Sequence, residues 1–310
     1  MKNFYVTTIA LAIAFASCNT SADADPQNQD STATDSTVTV QAEKEISGQF
    51  KYNEGTFWYD GGLLISNFGS STFDPLNSEG KGYISYYKND SVTTFIPADG
   101  NLNGPKGIYV GNGYIYIADV GKVAVYKIGD STTKPVNIQF PKEEVFVNDL
   151  ASDGQTLYVS VVNTGNIYKI DISDPAKLTT VQPVKFSNVV GANGLVLDGS
   201  RLFVASYPAD GKTTEANVVY VINDITNPLP EKFINTPGQY DGVALSADKK
   251  TMYITNWDPV QVAAVNMDTK QITPLTLTTP VESVADITLQ NGTLYIPDLA
   301  GSKLVVKPLN

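Results

Sequence analysis

The chain has 310 residues and a formal net charge of −11, with one cysteine and no histidine. The absence of histidine excludes a Ser-His-Asp triad, a Cys-His pair and the usual zinc sites. A single cysteine excludes an intrachain disulfide. The acidic balance argues against a nucleic-acid partner, whose phosphates would be repelled, and it is compatible with cation binding.

Residues 1–17 are typical of a secretory signal peptide, because Lys2 precedes an apolar stretch too short to span a bilayer. The stretch ends in Ala16-Ser17-Cys18, which resembles a bacterial lipobox. This resemblance implies that Cys18 is acylated and becomes the first residue of the mature protein. An ordinary cleaved signal with an incidental cysteine is the alternative. We therefore expect a protein of the bacterial cell envelope, on the periplasmic face or the cell surface, whose only membrane contact is its lipid.

Residues 18–37 are polar, with almost no apolar side chains. Such a segment cannot bury a core, so we predict a disordered tether. The predicted folded domain covers residues 38–310, a length that propellers reach as a single unit.

The folded part repeats one phrase: a key residue, then Gly or Asp, then an apolar run, a turn and a second apolar run. The six key residues are Glu54, Lys106, Asn148, Asn193, Asp241 and Ala285. A repeat of roughly 40–50 residues with strand-type pattern is typical of propeller blades. Most of the turns are Asn-Gly or Asp-Gly, which suit tight hairpins, and a third strand follows in each copy. The pattern predicts an all-β fold, a six-bladed β-propeller with a central channel.

The last copy ends after its third strand, one strand short of a complete blade. A strand from residues 38–40 or from residues 46–50 would complete it and close the ring, which removes exposed sheet edges. A β-sandwich with regularly spaced strands is the alternative.

Equivalent residues of successive blades converge on the propeller axis. Glu54, Asn148, Asn193 and Asp241 should therefore meet in the channel, and the Gly after a key residue allows close packing there. Carboxylate and amide oxygens favour Ca²⁺, with Mg²⁺, Mn²⁺ or Zn²⁺ as alternatives. For any single copy, Asn or Asp before Gly is equally explained by turn geometry.

The same residues resemble a known family. Asn53-Glu54-Gly55 is similar to the opening blade of the gluconolactonase/regucalcin family, and Asn148-Asp149, Asn193-Gly194-Leu195 and Asp241-Gly242 resemble its later motifs. The order Glu, Asn, Asn, Asp is also similar to the calcium site of diisopropyl fluorophosphatase and of paraoxonases. The resemblance implies one divalent cation and hydrolysis of lactones or phosphotriesters. It implies that Glu54, Asn193 and Asp241 are ligands, that Asp241 is also the general base or nucleophile, and that Asn148 is a ligand or substrate contact.

Some residues depart from the family. Phe146 stands where sugar lactonases carry an Arg, and Leu150 replaces a Gly, which argues against sugar-lactone specificity. Lys106 holds the key position of the second blade, where a metal would repel it. Either its side chain turns away to the surface, or it binds an anionic group of the substrate.

Loops after the second strands carry aromatic and polar residues at the predicted entrance: Asn67-Phe68, Asp119, Tyr207 and Asn256-Trp257. They form either a substrate wall or propeller packing. The candidate substrate contacts are Lys106, Asn148, Tyr207 and Trp257.

Three hypotheses for function follow. The first is an envelope-anchored, metal-dependent hydrolase that acts on a small lactone or related ester. The second is a binding or scaffolding propeller with a structural metal, and the third is a propeller without a metal. The oligomeric state is left open by the sequence.

The lipobox generates the first prediction. Cys18→Ser should move the protein from the membrane fraction to the soluble fraction, because it removes the acylated thiol. Fractionation of cells, followed by mass spectrometry of the mature N-terminus, measures this. A wild-type protein that is soluble and carries no lipid would contradict it.

Overall fold

The structure is a computed structural model that describes residues 42–309. The predicted signal peptide, the tether, Cys18 and the candidate strand at residues 38–40 lie outside the described residues. Residues 42–309 form an all-β propeller of six four-stranded sheets, with one short 3₁₀ helix at Pro175–Lys177. The predicted fold class is confirmed, and the β-sandwich is excluded.

The first strand along the chain is β1 (Lys44–Ile46), and each following group of four forms a blade except the last. Blade 1 comprises β2 (Asn53–Tyr59), β3 (Gly62–Asn67), β4 (Tyr83–Lys88) and β5 (Ser91–Ile96). Blade 2 comprises β6 (Ile108–Gly111), β7 (Tyr114–Asp119), β8 (Lys122–Lys127) and β9 (Val136–Gln139). Blade 3 comprises β10 (Val147–Ser152), β11 (Thr156–Val161), β12 (Asn166–Asp171) and β13 (Val184–Asn188).

Blade 4 comprises β14 (Ala192–Asp198), β15 (Arg201–Ser206), β16 (Tyr220–Ile222) and β17 (Pro230–Lys232). Blade 5 comprises β18 (Tyr240–Leu245), β19 (Thr251–Asn256), β20 (Gln261–Asn266) and β21 (Ile272–Pro274). Blade 6 comprises β22 (Thr288–Gln290), β23 (Thr293–Asp298), β24 (Lys303–Pro308) and β1. In blades 2 and 6 the inner strand begins two or three residues after the key residue, later than the repeat predicts.

Three of the predicted hairpins have two central residues with positive φ. They are Asp60-Gly61 (46° and 74°), Asn112-Gly113 (54° and 80°) and Asn291-Gly292 (48° and 70°). Two successive positive φ angles define the type I′ turn, whose twist matches that of antiparallel strands. The dipeptides therefore place the inner and second strands of these blades side by side.

The ring closes through β1, which pairs antiparallel with β24 in the register Lys44↔Val306 to Ile46↔Leu304. Just before β1, Glu43 accepts hydrogen bonds from the backbone N–H groups of Thr278 (3.0 Å) and Thr279 (2.6 Å). The prediction that a strand from residues 38–50 completes the last blade is confirmed, although β1 lies between the two candidate segments and includes only Ile46 of the second.

The apolar core lies between the blades. Six clusters of buried side chains fill the six junctions between neighbouring blades. At the closing junction, Leu304 and Val306 of blade 6 pack with Leu63, Ile65 and Tyr87 of blade 1. Among residues 42–309, no helix is long and apolar enough to cross a membrane.

Closure by β1 generates the second prediction. A chain that starts at residue 48 should be less stable than one that starts at residue 42, by about 2 kcal/mol or more. It loses three residues of β-ladder and the packing of Ile46 against the closing cluster. Denaturant midpoints of the two chains measure the difference. Equal midpoints would show that the final blade is stable with three strands.

Candidate metal centre in the channel

Four blades carry a β-bulge at the key residue. In blades 1, 3, 4 and 5 the register between the inner and second strands shifts by one, so that two inner residues oppose one partner. The bulged pairs are Glu54-Gly55, Asn148-Asp149, Asn193-Gly194 and Asp241-Gly242. No such shift occurs in the inner ladders of blades 2 and 6. A bulge re-aims a side chain, so the four blades with oxygen-bearing key residues share a local geometry that the other two lack.

A hydroxyl group in the second strand stabilises three of these bulges. The Ser66 side chain accepts from the N–H of Gly55 (2.7 Å), Ser160 from that of Asp149 (2.9 Å), and Thr255 from that of Gly242 (2.6 Å). Each hydroxyl replaces a backbone bond that the bulge removes. The sequence analysis missed these residues, although a Ser or Thr recurring 12 to 14 positions after a key residue is a readable signal.

Glu54 is buried and lies near the other charged groups of the channel. Burial, followed by the nearby carboxylate of Asp241, raises the pKa of Glu54 well above its ordinary value, while Lys106 and a hydrogen bond from Asn148 oppose the rise. These contacts bring together key residues from blades 1, 2, 3 and 5. A group in this setting is charged only if a cation compensates it.

Asp241 is fixed by one oxygen and free at the other. The indole Nε1–H of Trp257 donates to Oδ2 of Asp241 at 2.7 Å. Burial raises the pKa of Asp241 to about 7; the hydrogen bond from Trp257 opposes the rise, and the nearby carboxylate of Asp149 adds to it. The aspartate therefore has a defined orientation and a free Oδ1.

Three oxygens of the predicted ligands are buried and have no hydrogen-bond partner. They are Oε2 of Glu54, Oδ1 of Asn193 and Oδ1 of Asp241. An unpartnered buried acceptor costs about 1–3 kcal/mol, so three of them in one channel need an explanation. They are carboxylate and amide oxygens, the donors that Ca²⁺ and Mg²⁺ take, and the residues present therefore fit such a cation.

Two further buried carboxyl groups follow key residues in blades 3 and 6. Asp149 accepts from the N–H groups of Leu150 (2.7 Å) and Leu195 (2.6 Å), and burial raises its pKa to about 7. Asp286 accepts from the N–H of Ile287 (2.9 Å), and burial followed by Asp149 raises its pKa well above the ordinary value. Both line a cavity of about 410 Å³ at the end of the channel where the inner strands end.

Within residues 42–309, no group of three or more His, Cys, Asp or Glu side chains is arranged to hold a metal. The predicted ligands are two carboxylates and two amides, so only two of the four belong to these residue types. The identity of the cation stays a prediction.

Lys106 has no surface exposure, which corrects the interpretation that its side chain reaches the surface. Its ammonium donates to the carbonyls of Pro75 (2.8 Å) and Gly104 (2.6 Å). It also lies 5.3 Å from the ring centroids of both Phe68 and Phe146. Lys106 turns aside from the axis, and burial lowers its pKa while Glu54 opposes that change.

The polar residues predicted at the rim anchor loops. Asn67 accepts from the N–H of Lys51 (3.2 Å), Asp119 from that of Gly104 (2.8 Å), and Asn256 from that of Gln239 (2.7 Å). All three are buried, and each accepts from the loop that leads into the inner strand of its own blade. They position the key residues and do not form a substrate wall.

The aromatic residues do meet at the entrance, the end of the channel where the inner strands begin. Tyr207 packs edge-on against Trp257, with ring centroids 5.8 Å apart. Trp257 stacks on Phe73 at 6.4 Å, and Phe73 stacks on Phe68 at 6.4 Å. Tyr52 contacts Phe73 from the side at 5.6 Å. Sequence reasoning missed Tyr52 and Phe73, because no repeat position marks them.

Comparison with known proteins supports the fold alone. No family model matches the chain, and no curated protein sequence matches it. A solved structure of a Bacteroides thetaiotaomicron protein of unknown function aligns with a TM-score of 0.60 and 15% identity, over 86% of this chain and 72% of that chain.

Two further similar structures are of named proteins. Virginiamycin B lyase from Staphylococcus aureus aligns with a TM-score of 0.57 and 14% identity, over 87% of this chain and 99% of that chain. A structure of a nidogen/laminin complex aligns with a TM-score of 0.59 and 12% identity, over 86% and 90%. These likenesses define the chain as a β-propeller protein. They do not identify the gluconolactonase/regucalcin family, so that resemblance stays a hypothesis.

The buried carboxyl groups generate the third prediction. In EDTA, the melting temperature should fall as the pH rises from about 5 to 8. The folded pKa values of Asp149 and Asp241 are about 7, above the roughly 3.9 of an unfolded Asp, so the folded state holds protons that it loses over this range. Asp241→Asn should reduce the slope, whereas Asp268→Asn, at an exposed position of the same blade, should keep it. A melting temperature that rises over this range would contradict the prediction.

Proposed function

We propose that the protein is a metal-dependent hydrolase of lactones or related esters, with one divalent cation, Ca²⁺ in preference to Mg²⁺, Mn²⁺ or Zn²⁺, in the channel. The observation that carries the proposal is the set of three buried, unpartnered oxygens on Glu54, Asn193 and Asp241. They come from blades 1, 4 and 5, and packing alone does not require oxygen at these positions. The resemblance to the gluconolactonase/regucalcin family supports the same proposal.

Glu54, Asn148, Asn193 and Asp241 would hold the cation. When bound, it would polarise a substrate carbonyl and stabilise negative charge on its oxygen. Glu54 would supply charge, since its Oε2 has no hydrogen-bond partner. Asn193 would orient its carbonyl toward the axis, where its Oδ1 has no other partner.

Asp241 would act as general base. Trp257 holds Oδ2, so Oδ1 would take both roles, with one lone pair toward the cation and the other accepting a proton from water. The pKa near 7 suits a group that takes and returns a proton at neutral pH. Tyr207, half-buried beside Trp257, would contact the substrate. Lys106 would act on Glu54 through its charge, because its N–H groups bind Pro75 and Gly104.

The lyase among the structural neighbours differs from this chain at a residue that its catalysis requires. That structure is of a catalytically inactive variant in which one histidine is replaced by alanine, whereas this chain contains no histidine. A step that depends on an imidazole therefore has no counterpart here. The buried aspartate and glutamate are the remaining candidates for proton transfer.

A binding or scaffolding propeller is the second candidate function. It is favoured by the hydrogen bonds from Lys106 to two backbone carbonyls, which commit a buried ammonium beside the candidate ligands to holding the fold. In that case a bound cation would stabilise the ring without turnover. A panel of lactones and esters, assayed with Ca²⁺, Mg²⁺ or Mn²⁺ and in EDTA, separates the two functions.

The site generates the fourth prediction. Asp241→Asn should lower turnover by about 100-fold or more at saturating Ca²⁺, because an amide cannot accept the proton. Its single oxygen faces either Trp257 or the cation, so the Ca²⁺ affinity should fall as well. Glu54→Gln should mainly weaken the cation, since it removes one of two charges, so excess Ca²⁺ should partly restore its turnover. Calorimetric titration with Ca²⁺ measures binding separately from activity.

The matched controls are Asp268→Asn and Glu215→Gln, both at exposed positions, which should resemble the wild type in both assays. Wild-type turnover by Asp241→Asn at saturating Ca²⁺ would show that Asp241 is a ligand only. Unchanged Ca²⁺ affinity in Glu54→Gln would remove Glu54 from the site.

A further inference from the structure

Most of the exposed large apolar side chains lie on the face of the propeller that carries the channel entrance. Seven large apolar side chains of residues 42–309 are exposed. Five of them lie in loops on the entrance face, which either connect second and third strands or lead into inner strands: Phe73, Leu76, Val145, Val190 and Val260. The other two, Val184 and Leu229, lie toward the opposite face. The exposed apolar surface of the described residues is therefore unevenly divided between the two faces, in favour of the entrance face.

The aromatic rings over the entrance form a partly open stack. The planes of Phe68 and Phe73 differ by 10°, and those of Phe73 and Trp257 by 20°. Phe68 is fully buried, whereas Phe73 is 44% exposed. A buried ring therefore supports one that presents part of its surface to solvent, which another aromatic group can cover.

The loop that carries Phe73 is held in place. Its ends meet at Gly69, which has φ of 65° and where a Cβ would come closer than 3.0 Å to the carbonyl of Lys81. Glu79 accepts from the N–H (3.0 Å) and the hydroxyl (2.8 Å) of Ser71, and it pairs with Lys81 at 2.6 Å. Lys106 binds the carbonyl of Pro75 from below. Phe73 is therefore positioned by the loop before any ligand arrives.

Charge at the entrance favours an uncharged ligand. The protein carries a net charge of −11, which repels anions. Lys106, the cation nearest Glu54, donates to two backbone carbonyls and lies between two rings. These bonds use two of its three N–H donors, so a contact between Lys106 and an anionic substrate group stays a prediction.

We infer that the entrance is an aromatic subsite, formed by Tyr52, Phe68, Phe73, Tyr207 and Trp257, which binds an aryl substituent of an uncharged lactone or ester. The inference rests on the proposed function for the reaction, but not for the binding. Trp257 joins the two parts of the site, since its ring faces Phe73 and its N–H holds Asp241. A ligand whose aryl group contacts Phe73 or Trp257 therefore lies beside the residue that holds Asp241.

The fifth prediction tests binding without turnover. The chain has two tryptophans, so Trp58→Phe leaves Trp257 as the only indole reporter. The probe is 5-(2-phenylethyl)pyrrolidin-2-one, a lactam that resists hydrolysis, compared with 5-ethylpyrrolidin-2-one. The phenylethyl lactam should change Trp257 fluorescence saturably and bind about tenfold more tightly than the ethyl lactam, since its phenyl group adds an aromatic contact and buried apolar area that the ethyl group lacks.

Phe73→Ala in the Trp58→Phe background should remove most of this preference. Leu229→Ala, at an exposed apolar position toward the other face, should keep it. Phe73→Leu should give an intermediate preference, which separates aromatic from merely apolar contact. Equal, weak binding of both lactams would overturn the inference, and so would an unchanged preference in Phe73→Ala.

Assays with the corresponding lactones separate this inference from the proposed function. Preferential lactam binding with no turnover of any lactone at saturating Ca²⁺ would refute the hydrolase and leave the subsite supported. Turnover of both lactones at equal kcat/KM, without a phenylethyl preference in the lactams, would support the hydrolase and refute the subsite.

Discussion

The crowding of six inner strands around one axis controls the rest of the structure. A Cβ at Gly55, Gly107, Gly194 or Gly242 would come closer than 3.0 Å to the backbone of the next blade. The residue after the key residue is therefore glycine in these four blades. In blade 3 it is Asp149, whose carboxylate faces Gly107 of blade 2 and accepts from Leu195 of blade 4. The repeated Gly is thus a consequence of how closely the blades approach.

This crowding also concentrates charge. Glu54, Asp149, Asp241 and Asp286 are all buried in the channel, and Lys106 is the one ammonium with which Glu54 interacts among the described residues. Burying an uncompensated carboxylate is costly, so such a group binds a proton or a cation. The raised pKa values favour a bound proton, and the unpartnered oxygens mark where the proposed cation would replace it. A proton and the proposed cation are thus alternative ways to compensate the same desolvation.

Much of the fold was predictable from sequence because each repeat contains its own turns and strands. The incomplete last copy also predicted the closing strand, since a propeller ring leaves one strand to be supplied. The key positions were predictable for the same reason. The bulges were not, because a register shift exists only when two strands pair, and the hydroxyls of Ser66, Ser160 and Thr255 acquire their role only there.

The direction in which the Lys106 side chain points could not be predicted from the sequence either. Its position in the repeat pointed to the axis, but the carbonyls of Pro75 and Gly104 come from loops outside the repeat. The same holds for Phe73, which sits in the long connection between β3 and β4 and contacts a residue of blade 5. The sequence repeat predicts the features that all blades share. The aromatic entrance depends on residues of the connection between β3 and β4 that the other blades do not share.

Blade 6 explains why the aromatic residues occupy one side of the entrance. Its key residue is Ala285, which leaves room where other blades place a polar side chain. Phe68 and Leu299 pack on Ala285, with Tyr52 and Trp257 against them. The rings of blades 1 and 5 therefore meet across the blade whose key residue carries no oxygen. Asn148 and Asn193 lie in blades 3 and 4, on the side away from blade 6, whereas Glu54 and Asp241 share blades 1 and 5 with the rings. Under the proposed function, the apolar group of a substrate would therefore lie beside the two carboxylates.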